Sequence, residues 1–173
     1  GLVSEALLLH MKSPAIHGAL NMIYRYGITE DEAYAQKVYP YLRGVADFWE
    51  KDLVCRDGVY HVVGDGMHER TDGNIRDNGV PEDPVNTLGY LKTFFTWMPR
   101  ISEALDLDEK KREKWLEIAE NLAPYPKGTI REIQENPTLW KEVDVKLEDL
   151  LPEEMLDKEI YYDEGIGGKW SFH

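Results

Sequence analysis

The stretch that most constrains the fold is the acidic segment Gly64–Asn86, GDGMHERTDGNIRDNGVPEDPVN, which separates two strongly helical regions. Its four glycines and two prolines prevent a continuous helix or an uninterrupted strand. Loops longer than about 15 residues without secondary structure are uncommon, and are usually functional or disordered. Because this one lies between two helical regions, we predict that it is the working loop of a helical scaffold. Its carboxylates are Asp65, Glu69, Asp72, Asp77, Glu82 and Asp83.

Apolar residues at three- and four-residue steps predict a long amphipathic helix upstream of the acidic segment. A capping box at Thr29–Glu32 is expected to begin this helix, and Pro40 is expected to kink it. An earlier helix is expected to start at Pro14, with Ser13 as its N-cap, and to stop at Gly27, and a short apolar helix is expected over residues 2–11. The predicted stripe of the long helix comprises Val38, Tyr41, Leu42, Val45, Phe48, Trp49 and Leu53.

Two more helices are predicted downstream of the acidic segment. Asp83-Pro84 resembles an N-cap followed by proline, and Asp108 is expected to cap the last helix. Between the long helix and the acidic segment, Asp57-Gly58 predicts a turn and Val59–Val63 has the composition of a strand. The apolar sets of the downstream helices are Leu88, Leu91, Phe95, Met98, Ile101 and Leu105, then Trp115, Leu116, Ala119 and Leu122.

After Gly128 the helical pattern weakens, and the chain becomes acidic, aromatic and glycine-rich. Between Arg131 and Glu164 there are twelve Asp and Glu against four Lys and Arg. Residues 129–134 fit either a short helix or a strand. We therefore predict a helical region over residues 1–128, with residues 129–173 as a loop extension of the same domain.

Composition excludes several classes of function. The net charge of −13 argues against nucleic-acid binding, whose affinity comes from Lys and Arg that neutralise phosphates. No apolar run approaches the roughly 18 residues that a membrane span needs. Cys55 is the only cysteine, so we expect no intrachain disulfide and interpret Cys55 as a buried structural residue.

Several local patterns occur together in the helical region. Residues 39–49, YPYLRGVADFW, precede the acidic segment, in which Glu69 follows soon after the predicted strand; residues 83–95 and NLAPYP at 121–126 come later. In this order the patterns resemble the six-hairpin (α/α)6-barrel glycosidases, and most of all the inverting α-L-fucosidase-related family. The resemblance spans residues 1–128. It implies a mainly α fold of antiparallel helical hairpins forming part of an (α/α) barrel, in a chain that is a piece of a larger hydrolase.

The same resemblance implies that Glu69 is the general acid of an inverting glycoside hydrolase. Inversion needs a protonated carboxyl at the glycosidic oxygen and a base for water on the opposite face, about 6.5–9.5 Å away. Neighbouring carboxylates would raise the pKa of Glu69, whereas pairing with Arg70 or Arg76 would oppose this, and the sequence leaves the balance open. Asp72 and Asp77 are weak candidates for the base. A carboxylate outside this chain is the alternative, and in that case the isolated chain is expected to be inactive.

A carbohydrate is the expected substrate, and neither a metal nor another cofactor is implied. Family members often carry Ser-Pro-Glu-Asn around the acid, where this chain has Met67-His68-Glu69-Arg70, so the sugar is left open. The predicted substrate-binding residues are His68, Arg70, Asp72 and Trp170. Other aromatic rings, those of Trp49, Trp97 and Tyr60, would be able to stack on sugars, although helical stripes favour core packing for the two tryptophans.

Other functions remain open on the sequence. Asp72–Asp77 begins like a calcium loop, but Arg76 and Asp77 stand where an EF-hand needs an oxygen ligand and glycine, which leaves only an irregular calcium site. A non-catalytic helical module that binds carbohydrate or protein is the alternative function. The 23-residue acidic segment and the irregular helix lengths argue against a regular solenoid. An incomplete barrel would also expose apolar helix faces, through which a homodimer is possible.

Overall fold

The computed structural model describes residues 11–65, 82–135 and 151–161, apart from the side chains of residues 133–135, and it is mainly helical with short strands. This confirms the predicted fold class, while the (α/α) barrel stays a prediction. The chain divides into two compact units. The helical unit comprises Lys12–Val63 and Asn86–Ala123, and the second unit comprises Gly1–Met11, Gly64–Val85 and Pro124–His173.

Helices α1 (Pro14–Thr29) and α2 (Glu32–Asp52) form an antiparallel pair in the helical unit. At one end of the pair, the Tyr41 hydroxyl donates a hydrogen bond of 2.9 Å to the Ala15 carbonyl. At the other end, the Arg25 guanidinium lies 4.0 Å from the centroid of the Tyr34 ring.

The predicted end of α1 at Gly27 is wrong, because the helix continues to Thr29 and ends where Glu30 adopts a φ of 50°. Gly27 serves a different purpose. A Cβ at this position would lie 2.8 Å from Cη2 of Trp97, so glycine is needed for the close approach of this ring.

The predicted capping box at Thr29–Glu32 is also wrong. The N-cap of α2 is Asp31, whose carboxylate accepts a hydrogen bond of 3.0 Å from the Tyr34 N–H. The Thr29 hydroxyl is used elsewhere, because it donates to the Arg25 carbonyl at 2.8 Å. Pro40 lies inside α2, and the expected helix over residues 2–11 falls almost entirely outside the described residues.

A β-hairpin follows α2. Strands β1 (Val54–Arg56) and β2 (Val59–His61) pair antiparallel, with Val54 opposite His61. Asp57 and Gly58 have φ values of 51° and 83°, and a type I′ turn requires positive φ at both central residues. The predicted turn is confirmed, although the strand ends at His61 rather than Val63. Cys55, predicted to be buried, is exposed because every residue of β1 faces solvent.

Helices α3 (Val85–Ala104) and α4 (Glu109–Glu120) complete the helical unit. Helix α3 begins at Val85, one residue after the predicted first helical residue Pro84, and its Tyr90 ring stacks on His17 of α1 with centroids 5.4 Å apart. The four helices and β2 enclose one apolar core, whose burial is the main stabilising contribution to a fold of this kind. Its largest fully buried side chains are Trp49, Trp115, Phe94, Phe95, Ile16, Ile23, Leu42, Leu88, Leu91, Met98, Ile101 and Ile118.

Three residues of the predicted stripes lie outside this core. Tyr41, Phe48 and Leu116 are 43%, 45% and 44% exposed, respectively. The apolar stripes of α2 and α4 are therefore narrower than the sequence pattern suggests, and α2 carries apolar side chains on an outward face as well as on its core face.

The second unit contains strand β3 (Lys127–Thr129), helices α5 (Ile130–Glu135) and α6 (Glu153–Leu156), and strand β4 (Glu159–Tyr161). The strands pair antiparallel, with Lys127 opposite Tyr161. Thr129 and Glu132 form a capping box at the start of α5, with hydrogen bonds of 2.8 and 3.1 Å. The sequence was compatible with either a helix or a strand over residues 129–134. The structure contains both, since β3 ends at Thr129 and α5 begins at Ile130.

Candidate functional site

The candidate site is the acidic segment, of which the structure describes the two ends. Gly64 and Asp65 are described at its start and residues 82–86 at its end. The predicted acid Glu69 and the predicted sugar contacts His68, Arg70 and Asp72 lie outside the described residues, as do Asp77 and Trp170. Their roles stay predictions. The structure describes the chain that leads into the segment, and its geometry is given below.

The β-hairpin before the segment is bonded to the end of α4 through Tyr60. The Tyr60 N–H donates to the Asn121 carbonyl at 2.8 Å, and the Tyr60 carbonyl accepts from the Ala123 N–H at 2.9 Å. The Tyr60 hydroxyl donates to the Glu117 carboxylate and accepts from the Lys114 ammonium group. This hydrogen bond from Tyr60 lowers the pKa of Glu117. The backbone and the side chain of Tyr60 therefore both hold β2 against the helical core.

A second contact fixes the exit of the hairpin. The Lys12 ammonium group donates to both carboxylate oxygens of Asp52, at 3.0 and 2.8 Å, and to the Val63 carbonyl at 2.8 Å. Asp52 is the last residue of α2, and Val63 is the last residue before the acidic segment. One cation thus joins the end of the long helix to the point at which the segment begins. We call the contacts of Tyr60 and Lys12 the hairpin anchors.

The segment itself begins with a buried carboxylate. Gly64 adopts a φ of 71°, a conformation that favours glycine, and Asp65 is 0% exposed. Asp65 has an interaction partner. Burying a carboxylate costs several kcal/mol unless hydrogen bonds or an ion pair compensate, so the burial of Asp65 depends on its interaction partner. At the far end, Asp83 has a φ of 51°, two residues before α3 starts at Val85.

The aromatic candidates from the sequence are placed in the core. Trp49 is 0% exposed and Tyr60 is 6% exposed, while Trp97 is partly buried against the core and Gly27. None of these three rings is therefore an open stacking surface. His61 lies on β2 and is partly buried. Among the described residues, the buried indole N–H of Trp49 has no hydrogen-bond partner.

A polar network between α2 and α4, which the sequence reasoning missed, forms around Asp108. One carboxylate oxygen of Asp108 accepts from the Tyr39 hydroxyl and from Nε of Arg43, both at 2.9 Å. Burial, followed by this hydrogen bond to Asp108, raises the pKa of Tyr39 to about 12. Asp108 was predicted to cap α4 with its side chain, but its φ is 47° and the side chain makes no cap hydrogen bond.

The network continues along α2 towards its C-terminus. Lys111 pairs with Glu50 at 2.7 Å and with Asp47 at 3.3 Å, and the other Glu50 oxygen accepts from the Trp115 indole N–H at 2.7 Å. Arg43 also contacts Asp47, and this contact lowers the pKa of the Asp47 carboxyl, while Glu50 raises the pKa of Lys111. The i,i+4 spacing of Arg43 and Asp47 was the sequence signal available for part of the network.

The network is structural in character, because each of its two cations lies between two carboxylates: Arg43 between Asp47 and Asp108, and Lys111 between Asp47 and Glu50. An open groove of about 380 Å³ lies beside it on the outer face of α2, lined by Gly44, Asp47, Phe48, Lys51 and Asp52. Within the described ranges, no group of three or more His, Cys, Asp or Glu side chains is arranged to hold a metal ion. In the same parts of the chain, no helix is both long enough and apolar enough to cross a membrane.

Comparison with known proteins found no matching protein-family model, no matching curated protein and no matching solved structure.

Proposed function

We propose that this chain forms part of the catalytic region of an inverting glycoside hydrolase, in which Glu69 is the general acid. The observation that carries the proposal is the pair of hairpin anchors before the acidic segment. A general acid works only when its carboxyl is held at a defined place relative to the glycosidic oxygen. A segment that leaves a hairpin bonded to a helical core at Tyr60 and Val63 starts from such a defined place.

Two further features support the proposal. Asp65 is a buried carboxylate four residues before Glu69, and proteins tend to keep buried titratable groups at functional sites. The mainly helical fold, with its antiparallel pair α1 and α2, is also consistent with the resemblance to the six-hairpin glycosidases. A neutral sugar is compatible with a chain of net charge −13, whereas an anionic substrate would be repelled.

In the proposed mechanism, Glu69 donates its proton to the leaving oxygen, and a carboxylate outside this chain activates water. His68, Arg70, Asp72 and Trp170 are the proposed contacts to the carbohydrate. The acid must be protonated near neutral pH, which partial burial and neighbouring carboxylates favour.

The test compares Glu69→Gln with the unaltered full-length protein on two kinds of aryl glycoside. A substrate with a phenol leaving group needs protonation, and we expect its kcat/KM to fall about 10²–10⁴-fold, the usual contribution of a general acid. A substrate with a dinitrophenol leaving group departs without protonation, and we expect a much smaller loss. NMR of the first-formed sugar anomer should show inversion at the anomeric carbon.

The matched control is Glu113→Gln, because Glu113 is exposed on α4 and the change removes the same charge. This variant should keep full activity on both substrates. Intact hydrolysis of the phenyl glycoside by Glu69→Gln would remove Glu69 as the acid. Equal losses on both substrates would indicate damaged binding or folding in place of lost proton transfer, and would also count against the assignment.

A further inference from the structure

A line of exposed residues along the outer face of α2 is the strongest surface feature outside the candidate site. These residues recur at steps of four and three, which places them on one side of the helix. The same spacing is that of a seam on which a second helix packs. We call this line the outer stripe, and it consists of Lys37, Tyr41, Gly44, Phe48 and Lys51, all of which are exposed.

Contacts within the helical unit hold the two aromatic rings of the outer stripe. The Tyr41 hydroxyl is bonded to the Ala15 carbonyl, and the Phe48 ring meets the buried Trp49 ring edge to face with centroids 5.3 Å apart. Tyr41 and Phe48 nevertheless remain 43% and 45% exposed. Each ring therefore keeps a defined orientation while part of its surface is open, which lowers the entropic cost of packing a partner against it.

Gly44 leaves the helix backbone bare between these rings, at the open groove of about 380 Å³. Glycine destabilises a helix interior relative to alanine, so its presence within α2 needs a reason. Gly27 of α1 has one in the approach of Trp97, whereas a Cβ at Gly44 would meet no atom within 4 Å among the described residues. Close approach of a partner from outside would account for Gly44.

The charges around the outer stripe favour an anionic partner. The two carboxylates that line the groove, Asp47 and Asp52, are already paired with cations of the helical unit. Lys37 and Lys51, in contrast, make no ion pair or hydrogen bond with any residue that the structure describes. At physiological salt the Debye length is about 8 Å, so contacts made at these lysines depend on the local charges more than on the net charge of the chain.

We propose that the outer stripe is a docking surface for an acidic amphipathic α-helix of a partner protein. Apolar side chains of that helix pack on Tyr41 and Phe48 and enter the groove at Gly44. Its carboxylates, near both ends of the contact, pair with Lys37 and Lys51. These two lysines are 14 residues apart in the sequence, which is about 21 Å along a helix, so the contact spans about four turns.

Other occupants fit the outer stripe less well. Two copies packed stripe to stripe would oppose lysine to lysine, because an antiparallel contact about Gly44 places Lys37 opposite Lys51 and a parallel contact places each lysine opposite itself. A nucleic acid would find only two unpaired cations here, on a chain whose net charge is −13.

The test is a binding measurement with two synthetic helical peptides of about three heptads, both with leucine at the a and d positions. One peptide carries glutamate near each end, and the other carries glutamine at the same places. Titration of the fluorescently labelled peptides with the unaltered protein, followed by anisotropy, should show saturable binding of the glutamate peptide. The glutamine peptide should bind about fivefold more weakly, which corresponds to the loss of two exposed ion pairs.

Two variants test the apolar part of the contact. Phe48→Ala should weaken binding of the glutamate peptide about tenfold, whereas Tyr24→Ala, which removes a tyrosine of similar exposure from α1, should leave binding unchanged. Gly44→Leu should also weaken binding about tenfold, because leucine fills the groove. Leucine favours helix over glycine, so this loss of binding is expected in a variant whose thermal melt is unchanged or higher.

A further pair of variants tests the charges. The double variant Lys37→Gln, Lys51→Gln should bind the glutamate and glutamine peptides equally, since the cations that distinguish them are gone. Lys110→Gln removes an exposed lysine from α4 and should keep the preference for the glutamate peptide.

The assignment is overturned if neither peptide binds, if the two peptides bind the unaltered protein equally, or if Gly44→Leu binds as well as the unaltered protein. Equal effects of Phe48→Ala and Tyr24→Ala would also overturn it. Sedimentation of the protein alone covers the remaining occupant, because self-association that Gly44→Leu abolishes would assign the outer stripe to a second copy instead. None of these outcomes depends on Glu69, so this proposal and the proposed hydrolase fail separately.

Discussion

The contact of Asp108 with Tyr39 and Arg43 predicts how α2 and α4 are held together. A single oxygen of Asp108 accepts both hydrogen bonds, each of 2.9 Å. In Asp108→Ala both donors lose this partner. Both bonds are to a charged carboxylate, and a hydrogen bond to a charged group contributes about 1.5–3 kcal/mol.

Exposure and backbone conformation decide the expected size of the effect. The Asp108 side chain is 29% exposed and Arg43 keeps its contact with Asp47, so we expect about 1 kcal/mol for each bond and about 2 kcal/mol for the two together. Asp108 also has a φ of 47°, where alanine costs roughly 1 kcal/mol more than a residue that tolerates the left-handed region. Asp108→Ala should therefore lower the free energy of unfolding by about 3 kcal/mol, the sum of these two contributions.

Asp108→Asn tests the charge by itself, because this variant keeps both the hydrogen-bond acceptor and the tolerance of positive φ. Asparagine keeps an oxygen for both donors and tolerates positive φ, so we expect a loss of about 1 kcal/mol. Urea denaturation followed by circular dichroism gives both values as shifts of the midpoint at constant slope. If the asparagine variant lost as much as the alanine variant, or if the alanine variant lost under about 1 kcal/mol, the hydrogen-bond argument would be refuted.

Two further predictions concern stability. Gly44 is exposed inside α2 with open space around an added Cβ, so Gly44→Ala should stabilise the protein by about 1 kcal/mol. Gly27→Ala should destabilise it by about 1 kcal/mol, because the added Cβ would lie 2.8 Å from Trp97. Urea denaturation of both variants checks these values, and a gain in stability for Gly27→Ala would contradict the argument. The pKa of Tyr39 rises from 10.0 to about 12, so above pH 10 the unfolded chain releases this proton first, and stability should fall by about 2 kcal/mol between pH 10 and 12. Thermal melts across that range should show a smaller decline in Tyr39→Phe, and an identical decline would exclude Tyr39 as a cause.

Local patterns predicted the helices and the hairpin turn well. Leu42, Val45 and Trp49 recur at helical spacing and are buried in α2, because the core face of a helix is visible in the order of its residues. Asp57-Gly58 was recognised because few residue pairs adopt positive φ twice in succession. These features depend only on neighbours in the chain.

Features that depend on distant residues were not predicted. Gly27 was interpreted as a helix end, although its role is to admit Trp97 from a helix that lies 70 residues later in the chain. Asp108 was interpreted as a side-chain cap, although its carboxylate reaches back to Tyr39 and Arg43. Glycine and aspartate each have a common role at helix ends and another in contacts between distant residues. The sequence pattern favoured the role at the helix end, whereas tertiary packing uses the contact with distant residues.

The candidate site shows the same division between local and distant information. Glycine and carboxylate density was enough to single out the acidic segment, but not to show how the chain enters it. The entry is set by Lys12, which reaches Val63 over 51 residues of sequence, and by Tyr60, which reaches Glu117 over 57. Two sequences with identical acidic segments would therefore begin that segment at different places if only one of them kept these anchors. The point at which the acidic segment leaves the helical unit is encoded in the residues of the scaffold, and the composition of the segment itself does not reveal it.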